Sequence, residues 1–359
     1  MKTDQGAADG ITQPLLLWYD NNKRSLPWRE TKDPYRIWVS EIMLQQTRVE
    51  AVRGYYQRFL EALPDIGALA RAEEPYLLKL WEGLGYYNRV RNMQKAAIRV
   101  MEEYEGRMPD CYELLLSLPG IGEYTAGAIA SIAFDRVAPA VDGNVLRILA
   151  RLWGDASDIA DPGVKKAFAK RLLAYIPQDR PGDFNQALIE LGAVVCVPNG
   201  KPKCGECPWR EICIAKKEER TDLLPVKSKK KERSIEKKTV LLILDGSHVL
   251  LHKRPKSGLL AGMYEFPMAD GWISAARAKE MTAELGLSPL RIRKSTEAVH
   301  IFTHKEWHMH SYLVTVADTM PEAKAKKTPW QEYVLIPPGE LDKTYPLPSA
   351  FKAFRHIIG

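Results

Sequence analysis

Two carboxylates, four cysteines and one glycine hairpin are the residues of this chain whose types and spacing can do chemistry. Glu41 stands among Ile37, Trp38, Ile42 and Leu44. Desolvation in such a helix raises a carboxyl pKa and can hold the group protonated near neutral pH, ready to act as a general acid. Asp142 stands just before a helical stretch that opens at Val145. That is an N-cap-like position, where the helix terminus favours the charged form. One carboxyl kept protonated and one kept ionised is the arrangement of glycosidic-bond cleavage. The acid protonates the leaving group and the anion faces an oxocarbenium-like sugar.

Cys196, Cys204, Cys207 and Cys213 lie close together, and Cys111 stands far from them. The stretch Met1 to Gln13 is polar and Gly/Ala-rich, unlike a signal peptide, so a disulfide framework is not expected. The spacing C-x7-C-x2-C-x5-C is one irregular cluster. Structural zinc sites more often show two C-x2-C pairs, which favours an iron–sulfur cluster while leaving zinc open. The run Leu118-Pro119-Gly120-Ile121-Gly122-Glu123-Tyr124 joins two short helical stretches. Without side chains at Gly120 and Gly122, backbone N–H groups around Ile121 can approach a phosphate at a helix start, which clamps a DNA backbone whatever its sequence.

The elements that must position these groups follow from periodicity. Up to about residue 217 the chain reads as all-α. Asp33-Pro34 starts a helix, and Tyr35 to Leu60 continues it without internal proline. Gly83 and Gly85 interrupt the next run. Helical stretches follow at Arg89 to Tyr104, Glu113 to Leu118, Tyr124 to Phe134, Val145 to Trp153, Lys165 to Ile176 and Phe184 to Val195. Residues 218–238 are basic and poor in apolar residues, as expected of a linker. Residues 239–359 then read as α+β, with strands at Thr239 to Leu244 and His248 to Lys253 around Asp245-Gly246, another at Trp307 to Val316, and a helix at Ala275 to Leu285. The 359 residues carry a formal net charge of +7, with a pI of about 9.0, compatible with a nucleic-acid partner. Positive residues gather around the cysteines (Lys201, Lys203, Arg210, Lys216, Lys217) and in Lys227 to Lys238.

On these motifs the chain resembles the endonuclease III superfamily of DNA glycosylases, and within it the adenine-specific members. Glu41-Ile42-Met43-Leu44-Gln45-Gln46-Thr47 is similar to their catalytic helix. Leu26-Pro27-Trp28-Arg29, Trp81-Glu82-Gly83-Leu84-Gly85-Tyr86-Tyr87 and Val141-Asp142-Gly143-Asn144-Val145 match further motifs in the same order. The likeness covers residues 14 to 217. It departs in one place, with seven residues between the first two cysteines where the family has six. Downstream, Gly258 to Pro267 followed by Ala275 to Gly286 resembles a Nudix fold whose metal box is depleted: Ala283 replaces a glutamate, and an upstream position falls on Gly271.

The resemblance implies a multidomain protein: an all-α helix-hairpin-helix glycosylase domain with a [4Fe-4S] cluster on Cys196, Cys204, Cys207 and Cys213, plus an α+β Nudix-like C-terminal domain. It implies Glu41, Asp142, Tyr124 and Asn144 at the catalytic centre. Tyr124 replaces the lysine of lyase-competent relatives, so the reaction should stop at base removal; its hydroxyl is expected near Asp142 or the sugar. Leu26, Trp28, Arg29 and Gln186 would line an adenine pocket. Gln46 and Thr47 would lie beside the orphaned base, and Leu84 and Tyr86 would wedge into the duplex. Phe302, Thr303 and His304 would read 8-oxoguanine on the other strand. The implied partner is double-stranded DNA holding A:8-oxoguanine or A:G mispairs, met by a cytoplasmic, nucleoid-associated monomer with no membrane contact. Two other readings remain open on the residues alone: a non-catalytic iron–sulfur DNA-binding protein, and a nucleotide pyrophosphatase using the C-terminal part.

Overall fold

The structure is a computed structural model that describes residues 5–228, 232–246, 248–317, 332–341 and 344–358, with side chains from residue 10 onward. Two compact units divide the chain. The first comprises Met1–Ala72 and Arg91–Lys229, the second Glu73–Val90 and Lys230–Gly359. The sequence expectation runs the first domain unbroken to 217; in the structure the segment Glu73–Val90 belongs with the C-terminal residues. No described helix is long and apolar enough to cross a membrane.

The first unit is helical. It opens with α1 (Gln5–Asn22), α2 (Pro34–Leu44), α3 (Val49–Ala62) and α4 (Ile66–Arg71). Asp33 caps α2 by accepting from Arg36 N at 2.9 Å, with Pro34 at the first helical position. The expected continuous helix from Tyr35 to Leu60 is broken. Gln45 to Arg48 leave the helix, and Gln46 takes φ +59° without glycine or proline to demand it. A tertiary hydrogen bond, Gln45 Nε2 to Thr125 Oγ1 at 3.3 Å, accompanies the break.

After α5 (Glu74–Leu80), which lies in the second unit, the chain continues through α6 (Asn88–Glu103), α7 (Tyr112–Ser117) and α8 (Glu123–Phe134). It then forms α9 (Gly143–Trp153), α10 (Pro162–Leu172), α11 (Pro181–Val194) and α12 (Ile214–Lys217). Helix α8 is apolar around its circumference, and Thr125 to Ile132 are all buried, because it packs between α2 and α11. Helices α9 and α11 share a core through Val145, Ile148 and Leu149 against Leu188 and Leu191. Burial of each such side chain stabilises the fold by about 1.5–3 kcal/mol.

The second unit holds a mixed seven-stranded sheet: β1 (Ser234–Asp245), β2 (His248–Lys253), β3 (Tyr264–Glu265), β4 (Met268–Asp270), β5 (Pro289–Ile301), β6 (Lys305–Val316) and β7 (Tyr333–Ile336). The order is β3-β2-β1-β6-β5, with β4 also on β1 and β7 also on β2. Among the described residues only the β1–β6 pair is parallel, running from Ser234↔Lys305 to Asp245↔Val316. That pairing starts β1 at Ser234, inside the segment expected as linker. Helix α13 (Ala275–Glu284), capped by Ser274, covers one face through Ala278. Helix α14 (Lys352–Arg355) helps cover the other through Phe354. The segment Glu73–Val90 joins this unit by Lys79 Nζ donating to Leu341 O at 2.9 Å and an Arg355–Glu82 ion pair at 2.5 Å.

Candidate active site and cluster cavity

Helices α2, α8 and α9 bring the two expected carboxylates and the tyrosine into one buried site in the first unit. Glu41 lies on the inner face of α2, 7% exposed. Burial pushes its carboxyl up to about 7; the Asp142 charge adds to this, while the Tyr124 hydrogen bond and Arg29 oppose it. The Tyr124 hydroxyl donates to Glu41 Oε2 at 2.7 Å. Its hydrogen-bond partner is Glu41, where the sequence reading expected the hydroxyl near Asp142 or the sugar. Burial, then the Glu41 and Asp142 charges, drive the phenol well above its ordinary pKa, so it remains an O–H donor. Tyr124 thus occupies Oε2, and Oε1 lies outside this hydrogen bond.

Asp142 is the N-cap of α9. Its Oδ1 accepts from Asn144 N at 2.9 Å and Val145 N at 2.8 Å, and its Oδ2 from Asn144 Nδ2 at 2.9 Å. Burial raises its pKa, and these three donors work against that rise by binding the charged form. Asn144 is therefore a positioning partner of the carboxylate. Its Oδ1 accepts from Arg147 NH2 at 3.0 Å, and Arg147 also donates to the carbonyls of Gly192 (2.9 Å) and Cys196 (2.9 Å). At Gly192 an added Cβ would come within 2.8 Å of Asn144 Cβ, so glycine allows α11 to pack this close. A chain of hydrogen bonds thus connects Asp142 with the first cysteine.

Leu26 and Trp28 are buried, and Trp28 meets Tyr56 edge to face at 5.4 Å. Arg29 NH2 pairs with Glu190 Oε2 at 2.7 Å, and Arg24 Nε with Glu190 Oε1 at 2.6 Å. Burial works to raise the Glu190 pKa, but the two arginines outweigh it and hold the carboxylate at about 2. Sequence reasoning missed Glu190. The available signal was a charged residue four positions after Gln186, on the same face of the helix. Gln186 Oε1 accepts from Tyr19 OH at 3.1 Å. Asn185, also missed, is fully buried and braces the approach to Asp142 by accepting from Ala140 N (3.1 Å) and donating to Ala138 O (2.8 Å).

The hairpin between α7 and α8 turns at Gly120, φ +77°, where an added Cβ would lie 2.6 Å from Asn92 Cβ. Gly122 is the N-cap of α8 with open space around it, and Ile121 is buried beneath the turn. Gln46 is exposed and Thr47 half-buried. In the second unit, Tyr86 is 48% exposed while Leu84 is 6% exposed, so of the two expected wedge residues the structure presents only Tyr86. Thr303 and His304 are exposed on the β5–β6 turn, and Phe302 anchors that turn against Trp307 at 4.9 Å.

The four cysteines line one cavity with Ile148, Leu191, Pro202 and Trp209. Among the described residues no three Cys, His, Asp or Glu side chains are grouped to hold a single metal ion. Four thiolates on one cavity can hold a multi-iron cluster or zinc. Arg151 NH1 donates to Cys196 Sγ at 3.2 Å, as suits an anionic cluster. Burial pushes the Cys207 thiol up to about 12 and raises that of Cys213, so the thiolate form is reached by binding cation and releasing protons.

Comparison with known proteins extends this picture. Residues 39–173 match the HhH-GPD superfamily base excision DNA repair proteins, residues 200–213 the iron–sulfur binding domain of endonuclease III, and residues 239–356 the NUDIX domain. The cofactor is accordingly a [4Fe-4S] cluster. A thermostable thymine-DNA glycosylase structure is 27% identical, with TM-score 0.54, over 60% of this chain and 98% of its own. An endonuclease III–DNA complex shares the fold at 24% identity and TM-score 0.50, over 61% of this chain and 99% of its own. The adenine DNA glycosylase of Buchnera aphidicola (strain Sg) is 33% identical over 85% of this chain and 86% of its own length. That of Mus musculus is 36% identical over 89% of this chain and 74% of its own. The chain belongs to the adenine DNA glycosylase family.

Proposed function

We propose that this chain is a monofunctional adenine DNA glycosylase that removes adenine paired with 8-oxoguanine, and also with guanine, from duplex DNA in base excision repair. The observation that carries it is the buried Glu41, raised to about 7 and hydrogen-bonded by Tyr124, in the same site as N-capped Asp142. The hairpin at Gly120 to Gly122 binds backbone phosphate, and the adenine leaves the stack for a pocket lined by Leu26, Trp28, Arg29, Gln186 and Glu190. Glu41 gives its proton to adenine N7. The C1′–N9 electron pair leaves with the base, so adenine departs neutral. The Asp142 carboxylate faces the sugar cation until water adds at C1′ and gives its proton to the Glu41 carboxylate, which restores the acid. Tyr124 supplies no amine for a Schiff base, so the strand stays intact after base loss.

The cluster supplies structural order to the Cys196 to Cys213 loop, which carries Lys201 and Lys203 toward phosphate. Protein purified without oxygen should be brown, with about four irons per chain; a colourless protein with one zinc per chain refutes this. The second unit contributes lesion reading through Thr303. Pyrophosphatase action is disfavoured because Arg277 engages both remaining box carboxylates, Glu284 at 2.6 Å and Glu280 at 3.1 Å. The deciding assay is alkali-developed cleavage of an A:8-oxoguanine duplex beside dNTP hydrolysis in Mg²⁺. Product should appear only in the first, and only after alkali. Thr303→Ala should lower the preference for A:8-oxoguanine over A:G by about 1–3 kcal/mol in binding, the worth of one hydrogen bond. The ratio of dissociation constants at fixed salt measures it, and an unchanged ratio places lesion reading outside this loop.

A further inference from the structure

We propose that Tyr19 is a positioning residue that makes the pocket specific for 6-aminopurines: its hydroxyl fixes the side-chain amide of Gln186, so that the amide NH2 donates to N1 of adenine. This rests on the reading of Gln186 as part of the adenine pocket. Tyr19 OH donates to Gln186 Oε1 at 3.1 Å across 167 residues of sequence, where α1 packs against α11.

An amide beside a hydroxyl can sit either way round, because the hydroxyl donates to the oxygen or accepts from the NH2. Burial decides between the two. Tyr19 is 2% exposed, and Gln186 Oε1 is the acceptor that its proton meets. With the amide turned round, the phenol would face an NH2 group and its buried proton would lose that acceptor. The phenol keeps its proton: burial, opposed by Arg29 and helped by the Asp183, Glu190 and Asp20 charges, pushes its pKa up to about 12. The ring is fixed as well. The Lys23 ammonium lies 5.3 Å from its centre and the Arg29 guanidinium 5.7 Å. Arg29 is held in turn by Glu190, one turn of α11 beyond Gln186. Gln186 is half-buried, and among the described residues its Nε2 has no hydrogen-bond partner. Nε2 is therefore the donor left for a ligand.

The chemistry of the purines makes the orientation matter. Adenine has acceptors at N1, N3 and N7. In the reading above N7 takes the Glu41 proton, and N3 lies on the sugar side of the ring. N1, at the outer edge of the six-membered ring, is left for Gln186. Guanine and hypoxanthine carry a proton at N1, so a fixed NH2 group meets them donor against donor. A freely turning amide would offer its oxygen to that N–H and accept them. A site built to hydrogen-bond one form of a group rejects the other because its own polar atoms are left unpaired. Tyr19 supplies the rigidity that this rejection needs, without touching the base.

The test uses the full chain in single turnover, with enzyme in excess, on duplexes carrying adenine, 1-deazaadenine or 3-deazaadenine opposite 8-oxoguanine. Each variant is compared with wild type on the same duplex, so the intrinsic lability of each glycosidic bond cancels. Tyr19→Phe keeps the ring and removes the donor. It should slow excision of adenine and of 3-deazaadenine on the order of 10-fold, and leave 1-deazaadenine, with C–H in place of N1, nearly unchanged. Gln186→Met removes the amide and should slow adenine excision by a similar factor, and adding Tyr19→Phe to it should slow the reaction no further. If Tyr19→Phe slows all three duplexes alike, Tyr19 only packs and the proposal is refuted. If Gln186→Met slows adenine excision and Tyr19→Phe does not, the positioning role is refuted while the pocket reading of Gln186 stands. If neither variant changes the rate on adenine, the placing of Gln186 in the pocket itself fails.

Discussion

Replacing Glu41 by glutamine should slow adenine excision by on the order of 10²-fold or more, while duplex binding persists. Glutamine fits the same space and still accepts from Tyr124, but it has no proton to give. The wild-type acid, near pKa 7, should also impose a fall in kcat/KM as pH rises through that value. Stability should show the same ionisation with a definite sign. A glutamate in the unfolded chain ionises near 4.5, and Glu41 in the folded chain near 7. Its contribution is therefore most favourable below about 4.5 and is lost as pH rises to 7, by about 3 kcal/mol in all. Glu41→Gln removes that loss. Its Tm should exceed the wild-type Tm at pH 8, and the two should converge near pH 4.5. Single-turnover assays and thermal melts at the two pH values check both parts. A near-normal rate would place the acid elsewhere, and a lower Tm at pH 8 would mean that the carboxylate is not strained by burial.

The burial of Glu41 was legible in the sequence because it interrupts an apolar helical face, where desolvation raises a carboxyl pKa. Asp142 was legible as a cap. The cysteines were legible by spacing, although the choice between zinc and an iron–sulfur cluster rests on the match of residues 200–213 to the iron–sulfur binding domain of endonuclease III. The partner of Tyr124 was not legible. Its position on α8 is fixed by the packing of that helix against α2, which sequence periodicity cannot orient. The break at Gln45 to Arg48 was hidden for a related reason. Neither glycine nor proline marks it, and Gln46 enters the left-handed region against its own preference, beside the tertiary Gln45–Thr125 hydrogen bond. That break ends α2 just after Glu41 and leaves Gln46 exposed. Glu190 escaped notice because it reads as one polar residue in an amphipathic helix; two arginines far away in sequence, Arg24 and Arg29, give it meaning. The placement of Glu73–Val90 with the C-terminal unit depends on Lys79 and Glu82 meeting Leu341 and Arg355, contacts that no local pattern announces.

Asp142→Asn should cost a comparable factor in rate for a different reason, and its effect on folding separates the two roles of this residue. As a cap, the side chain needs an acceptor for Asn144 N and Val145 N, and asparagine provides one about as well as aspartate. The fold should therefore survive, with a change in stability within about 1 kcal/mol. As the group facing the sugar cation, it needs a negative charge, which asparagine lacks. Loss of one such electrostatic stabiliser costs on the order of 10²–10³-fold in rate. The amide adds a local conflict as well. Oδ2 now accepts from Asn144 Nδ2 at 2.9 Å, and an NH2 group at that place would set donor against donor. Asn144 would have to turn, loosening its contact with Arg147 and hence the hydrogen-bond chain that reaches Cys196. The expected outcome is a folded, iron-loaded, DNA-binding protein with little excision in single turnover. Adding Glu41→Gln should lower the rate much less than the product of the two single effects, because both act on one transition state. Full activity in Asp142→Asn would show that the carboxylate is only a cap and that another group meets the sugar cation.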